Sequence, residues 1–260
     1  MILAGKTVIV SGVGPGLGGE VARCAVRDGA NVVIGARNGP KLDAIAKELD
    51  ASGERVLAHA FDITDPAGCD GLVAAAEKRF GGVDALVQVA AVDTVWGGAT
   101  STSAEDWQRV IGVNVIGTTR LCGAAVPALE RRGGGSLVLI SSQSALFATD
   151  TPMLAYAASK GALHSAMNQL VAELGPKKIR VNTVVPTWMW GPPVQGYCQQ
   201  QAKQRGISAE AVKAELEQRF PLREIPADDD VAEVAVFLCS DRARMLSGQL
   251  IQVDGGESSV

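Results

Sequence analysis

Residues 7–18 read T-V-I-V-S-G-V-G-P-G-L-G, and E-V-A-R-C-A-V follows at 20–26. A β-branched run, a glycine cluster and an apolar pattern of helical period predict a strand, a tight turn and a helix. Glycine is needed where the chain turns sharply and where backbone N–H groups must approach a phosphate at a helix N-terminus. A glycine cluster alone explains only a turn. Placed between a first strand and a first helix it points to a nucleotide site, with Gly12, Gly16 and Gly18 as the informative positions.

Working outward, further β-branched runs recur at 31–34, 56–60, 83–89, 136–141, 179–185 and 250–253. None alternates cleanly between polar and apolar residues, as expected of strands buried on both faces. Helical stretches fall between them at 17–28, 40–51, 67–80, 104–131, 153–174 and 228–239. Repeated alternation of this kind implies an α/β fold, a doubly wound parallel sheet with right-handed crossovers and helices on both faces. No linker or internal repeat interrupts it, so residues 1–260 read as one domain. The exception is 187–226, a long insertion without a strand, expected to lie over the carboxyl ends of the strands as a lid on the ligand site. Its segment 210–220 has a helical pattern.

The chain has 260 residues, 47% of them hydrophobic, which is ample for one large core. A formal net charge of −4 argues against a nucleic-acid footprint. No run of about 18 apolar residues appears, so no membrane span is expected. The opening M-I-L-A-G-K reaches polar and glycine residues too soon for a secretion signal, so a cytoplasmic location is expected. Cysteines 24, 69, 122, 198 and 239 are scattered and lack metal-ligand spacing; they read as reduced and buried, with no metal implied.

The first turn has the form T/S-G-x-x-x-G-x-G. With F-D-I-T-D (61–65), V-N-V-I-G-T (113–118), I-S-S (140–142), Y-A-A-S-K (156–160), I-R-V-N (179–182) and V-D-G-G (253–256), it resembles the short-chain dehydrogenase/reductase family over nearly the whole chain. The resemblance implies a Rossmann-type sheet of order 3-2-1-4-5-6-7 and a homotetramer or homodimer. It also implies a nicotinamide dinucleotide held by Gly12, Gly16, Leu17, Gly18, Asp62, Ile63, Ala90, Tyr156, Lys160 and Pro186, with Asp62 and Ile63 beside the adenine.

An acidic residue at the end of the second strand would bind the ribose hydroxyl of NAD and repel a 2′-phosphate. The sequence there is V-I-G-A-R-N, with Ala36 small and Arg37 cationic, which favours NADP over NAD. Pro15 argues the other way, standing where NADP-preferring relatives often carry a second basic residue.

Residues four apart share a helix face, so Tyr156 and Lys160 point the same way. A free tyrosine with a pKa of about 10 is a poor base near neutrality, and a nearby ammonium is expected to bring it toward the working range. The spacing alone is common by chance; the nucleotide turn gives it weight. The resemblance implies that Tyr156 exchanges a proton with the substrate oxygen, Lys160 also holds the nicotinamide ribose, Ser142 bonds the same oxygen and Asn114 supports a water relay. Ser141 and Ser144 compete with Ser142, because the stretch to Tyr156 is one residue longer than usual.

The pattern breaks in places. The family's N-N-A-G appears as Q-V-A-A (88–91), the usual P-G as Pro186-Thr187, and Gly191 stands where a threonine often binds the carboxamide. Around the expected substrate site gather Trp96, Phe147, Met153, Trp188, Trp190 and Tyr197, a large share of the chain's few aromatic residues. They suggest an apolar pocket with few polar groups and tilt the reading toward a bulky apolar or cyclic substrate, though packing of the insertion explains them too. Asp93 lies near the same rim, and His164 shares the helix face of Lys160, where subunit packing explains it better than catalysis.

The expected function is an NAD(P)-dependent oxidoreductase interconverting a secondary alcohol and a ketone. Within that class a 3-oxoacyl thioester reductase, a hydroxysteroid-type dehydrogenase and a diol or cyclic-alcohol dehydrogenase remain open. A dinucleotide-binding regulatory protein without catalysis is the rival outside it.

Overall fold

A computed structural model describes residues 1–149 and 151–259; Asp150 of the A-T-D-T-P loop and Val260 lie outside the described residues. The strands are β1 (Thr7–Ser11), β2 (Asn31–Ala36), β3 (Val56–Ala60), β4 (Ala85–Gln88), β5 (Gly135–Ile140), β6 (Ile179–Pro186) and β7 (Leu250–Val253). They form one parallel sheet of order β3-β2-β1-β4-β5-β6-β7, as the motifs imply.

The absence of alternation has the expected cause. Successive side chains of a strand face opposite sides of the sheet, and here both sides are covered. Val8 and Val10 pack into a core with α1 (Leu17–Arg27), α2 (Gly39–Leu49) and α9 (Asp228–Cys239). Ile9, between them, packs into the opposite core with α3 (Pro66–Phe80), α5 (Thr118–Arg131) and α6 (Leu154–Leu174).

Several motifs prove to be structural joints. In F-D-I-T-D, the Asp62 carboxylate accepts from Thr64 N at 2.8 Å and Thr64 Oγ1 at 2.7 Å, closing the turn. Asp65 then caps α3, accepting from the N–H groups of Ala67 and Gly68. Asn182 of I-R-V-N donates to Leu246 O at 2.8 Å and accepts from Gln249 N at 3.1 Å, which aligns the chain entering β7. Asp254 of V-D-G-G accepts from Gly256 N and Ser258 N, both at 3.0 Å, so the chain's last turn is tightly held.

Two features depart from the sequence reading. The helix expected over 104–131 is α4 (Ala104–Ile111) and α5 joined by a π-helical segment, Gly112–Gly117, that contains Asn114. Ala104–Arg131 is long and apolar enough to cross a membrane, yet its buried side chains face the protein core. The insertion also holds two helices, α7 (Pro192–Arg205) and α8 (Ala209–Glu217), where the sequence pattern suggested only the second. They pack on each other through Cys198, Ala202 and Val212.

Candidate active site

The nucleotide turn is built by close approach of backbones. Gly12 has φ 91° and a Cβ there would lie 2.3 Å from Ala90 N; one on Gly18 would lie 2.3 Å from Gly12 O. Only glycine satisfies both contacts, and the chain is thereby free to enter α1 with Gly16 at its N-cap. Beside this turn a cavity of about 480 Å³ runs between the ends of β1, β2 and β4, lined by Gly12, Arg37, Asp62, Ile63, Ala90 and Asp93 among others. Its position outside the carboxyl ends of parallel strands, a glycine cradle at one side and a cation at its mouth fit a dinucleotide. The contacts with Thr64, then the charge of Arg37, hold the Asp62 carboxyl below the usual carboxylate range against a partial burial cost. Leu17 is buried at the start of α1 and Pro186 ends β6; neither lines this cavity.

The four residues expected to carry chemistry come from three elements. Tyr156 and Lys160 lie one turn apart on α6, with the ammonium 5.6 Å from the phenol ring centre. Lys160 is only 3% exposed and donates to Ile140 O at 2.7 Å, the last residue of β5. Ser142 follows that strand; its Oγ accepts from Ser144 N at 3.2 Å and Ser144 Oγ at 3.0 Å, and it lies close enough to Tyr156 to lower the pKa of that hydroxyl. The competing Ser141 is turned away and buried, its Oγ 2.7 Å from His164 Nε2 and 3.4 Å from Lys160 O. His164 is therefore a partner of Ser141, and burial, then the Lys160 charge, lowers its pKa.

Asn114 is buried and fully engaged. Its Oδ1 accepts from Val92 N at 2.7 Å, and its Nδ2 donates to Val92 O at 3.1 Å and Ser159 Oγ at 2.9 Å. Ser159 in turn donates to Tyr156 O at 2.7 Å. The π-helical segment thus ties the loop after β4 to the turn of α6 that carries the tyrosine. Ser159 went unassigned in the sequence, although the S of Y-A-A-S-K stood in view. Its inward position follows from the helix, being one residue before Lys160 on the buried face.

Electrostatics overturn one expectation. Burial pushes the Tyr156 hydroxyl up to about 12, with the Ser142 hydrogen bond pulling it down and the Asp93 charge adding to the rise. Burial lowers Lys160 to about 8, opposed by Asp93. Desolvation dominates both shifts, so the tyrosine stays protonated near neutrality.

The departures from the family pattern also find physical reasons. Gln88 Nε2 reaches Ala90 O at 3.0 Å and Thr118 Oγ1 at 3.1 Å, while its Oε1 is buried without a partner. A Cβ on Gly191 would stand 2.5 Å from Asp228 Oδ2, so that carboxylate fills the space a side chain would need. Burial and the charges of Glu20 and Asp229 raise the Asp228 pKa.

The aromatic set is spread more widely than the sequence suggests. Trp188 and Tyr197 meet edge to face at 5.0 Å. Trp190 packs within the insertion under Lys213 and borders a separate cavity with Glu20, Asp228 and Asp229. Trp96 is 61% exposed and Phe147 is exposed as well. Met153 pairs with Gly97 as an isolated bridge, joining the loop after β4 to the start of α6. Among the described residues no group of His, Cys, Asp or Glu is placed to hold a metal, and all five cysteines are free and buried.

Comparison with known proteins agrees with this layout. A family model described as enoyl-(acyl carrier protein) reductase matches residues 12–258. Human dehydrogenase/reductase SDR family member 4 is 31% identical over 258 residues, covering 99% of this chain and 89% of that protein. An uncharacterized oxidoreductase of Methylorubrum extorquens is 34% identical over 259 residues, 98% of each. Among solved structures, L-sorbose reductase from Gluconobacter frateurii, complexed with NADPH and L-sorbose, superposes with a TM-score of 0.93 at 28% identity over 100% of both chains. With a match over nearly its whole length and relatives above 30% identical from end to end, the chain belongs to the short-chain dehydrogenase/reductase family, as an oxidoreductase built around a nicotinamide dinucleotide site.

Proposed function

We propose that this protein interconverts a secondary alcohol and a ketone with NADP(H), using Tyr156 as the proton donor and acceptor. The observation that carries this reading is the meeting of Tyr156 with Ser142 beside a buried Lys160, at the strand ends that border the glycine-lined crevice. The dinucleotide, when bound, supplies or accepts the hydride. The protein handles the oxygen. In the reducing direction the Tyr156 hydroxyl gives its proton to the substrate oxygen while the Ser142 hydroxyl donates a hydrogen bond to it, stabilising the charge that develops there. Oxidation runs the same proton path backwards. A tyrosine held protonated is a ready acid, so oxidation should rise with pH as the hydroxyl ionises.

Exposed Arg37 at the crevice mouth, next to the small Ala36, supports NADP, since a guanidinium pairs well with a 2′-phosphate. The Trp188–Tyr197 pair, 5.0 Å apart and beginning just past the end of β6, supports a cyclic or otherwise bulky substrate. The test is Tyr156→Phe in a turnover screen of steroids, cyclic alcohols and acyl thioesters with both dinucleotides. The variant should bind NADPH normally and lose about 10²- to 10⁴-fold in carbonyl reduction. Undiminished turnover refutes the assignment, and turnover confined to acyl thioesters transfers the reading to thioester reduction.

A further inference from the structure

The three acids that begin α9 have unequal roles. Asp229 Oδ1 accepts from Asp230 N at 3.1 Å, and Asp230 Oδ2 accepts from Ala227 N at 2.8 Å, so both serve the helix start. Asp228 does not. Its carboxylate is half-buried, and it has no hydrogen-bond or ion-pair partner among the described residues. It is held between two glycines instead. Asp228 Oδ2 lies 2.5 Å from where a Cβ on Gly191 would stand and 3.8 Å from where one on Gly16 would stand. A side chain at Gly191 would displace the carboxylate; without one, it reaches the nucleotide turn.

That turn touches open space on two sides. The crevice of about 480 Å³ meets it at Gly12. A second cavity of about 280 Å³, lined by Glu20, Trp190, Asp228 and Asp229, lies at its other end, where Gly16 starts α1. A dinucleotide with one nucleoside in the larger crevice carries its diphosphate across this helix N-terminus, toward Asp228.

An ionised Asp228 is a poor neighbour for phosphate. The charges that reach it, Glu20 from α1 and Asp229 from its own helix, are both negative, and with burial they hold its carboxyl above the usual range. The cations on the packed elements are committed: Arg23 pairs with Glu20, and Lys213 with Glu217 over the Trp190 ring. Like charges in one sheltered site do not both persist. A protonated carboxyl removes the repulsion and supplies an O–H donor to a group that offers acceptors.

We propose that Asp228 is a cofactor-binding residue that takes up a proton as the dinucleotide binds, changing from a repelling carboxylate into a hydrogen-bond donor to the diphosphate. The bound form keeps a proton at pH values where the free form has released it. Affinity is therefore full at low pH and lost as pH rises through that window.

The test is calorimetric binding of NADPH and NADH from pH 5.5 to 8.5, in two buffers of different ionisation enthalpy. Wild type, Asp228→Asn and Asp228→Ala are compared, so that titration of the NADPH 2′-phosphate near pH ~6 cancels. For a further rise of about one pKa unit on binding, wild type should lose about tenfold in affinity relative to Asp228→Asn across the series. It should also take up about half a proton more per dinucleotide at the midpoint. Asp228→Asn keeps a donor at every pH, so Asp228→Ala should bind more weakly than it throughout. Parallel curves and equal proton uptake for wild type and Asp228→Asn overturn the proposal. Equal binding by the Ala and Asn variants overturns it as well, leaving repulsion without a contact. So does a difference confined to NADPH, which moves the charge effect to the 2′-phosphate. Failure of wild type to bind either dinucleotide overturns the nucleotide site itself.

Discussion

Replacing Lys160 by methionine should change how the stability of this protein depends on pH. The wild-type ammonium is almost fully buried, and burial lowers its pKa from 10.5 to about 8. In the unfolded chain it returns to about 10.4. Below pH 8 both states carry the proton, and folding bears the whole desolvation cost, about 3 kcal/mol at ~1.36 kcal/mol per pKa unit. Between those values the unfolded chain holds a proton that the folded protein has released, so stability rises with pH. Integrated from pH 7 to 9.5, the gain is about 2 kcal/mol. The Tyr156 shift acts in the opposite sense, since its folded pKa is raised; stability is lost as pH climbs from about 10 to about 12, above this window.

Lys160→Met deletes the titration and leaves Ile140 O without its donor. That second effect costs about 1–3 kcal/mol and does not vary with pH. The informative quantity is therefore the difference in unfolding free energy between wild type and variant. Urea melts at pH 7, 8, 9 and 9.5 should show it growing by about 2 kcal/mol in favour of wild type. A difference that stays flat across the series means the ammonium is solvated in the folded protein, and the reasoning from burial fails.

Gly12→Ala places a Cβ 2.3 Å from one backbone atom and 2.5 Å from another at a residue with φ 91°. It should lower the melting temperature by several degrees and weaken NADPH binding ~100-fold or more by calorimetry; wild-type affinity would remove the turn from the phosphate site. Arg37→Ala should lower the ratio of NADP to NAD affinity about tenfold or more, as expected for one charge-assisted contact. An unchanged ratio assigns the 2′-phosphate elsewhere.

The strands were legible because a strand covered on both faces must be apolar and β-branched throughout, and all seven runs fall within two residues of their observed bounds. The run at 83–89 is trimmed to four residues at β4. The π-helical segment at Gly112–Gly117 was not legible, since one residue of extra winding leaves the apolar pattern of 104–131 almost intact. Helix α7 was missed because its sequence, P-P-V-Q-G-Y-C-Q-Q-Q-A-K-Q-R, offers few apolar residues to count.

At the site, the tight glycine turn and the shared helix face of Tyr156 and Lys160 were visible because local spacing defines them. The ionisation of the pair was not, because desolvation depends on everything packed around it. Asp228 was invisible for a similar reason: Gly16 and Gly191 meet it from far along the chain, and nothing near Asp228 announces them.

The strand order has a consequence for how the chain is made. β1 leaves the ribosome first yet ends in the middle of the sheet, and β4, its second neighbour, is the boundary between the half already synthesised and the half to come. Roughly fifty residues separate the end of β4 from the start of β5, which is about 3–10 s of translation. During that interval four strands can assemble with β4 as a bare edge of Leu86 and Val87, both destined for complete burial. An unpaired apolar edge is a template for another chain. A pause in translation between residues 89 and 134 therefore holds the nascent protein in its most aggregation-prone form, and synonymous codon changes there should alter soluble yield without altering the finished enzyme.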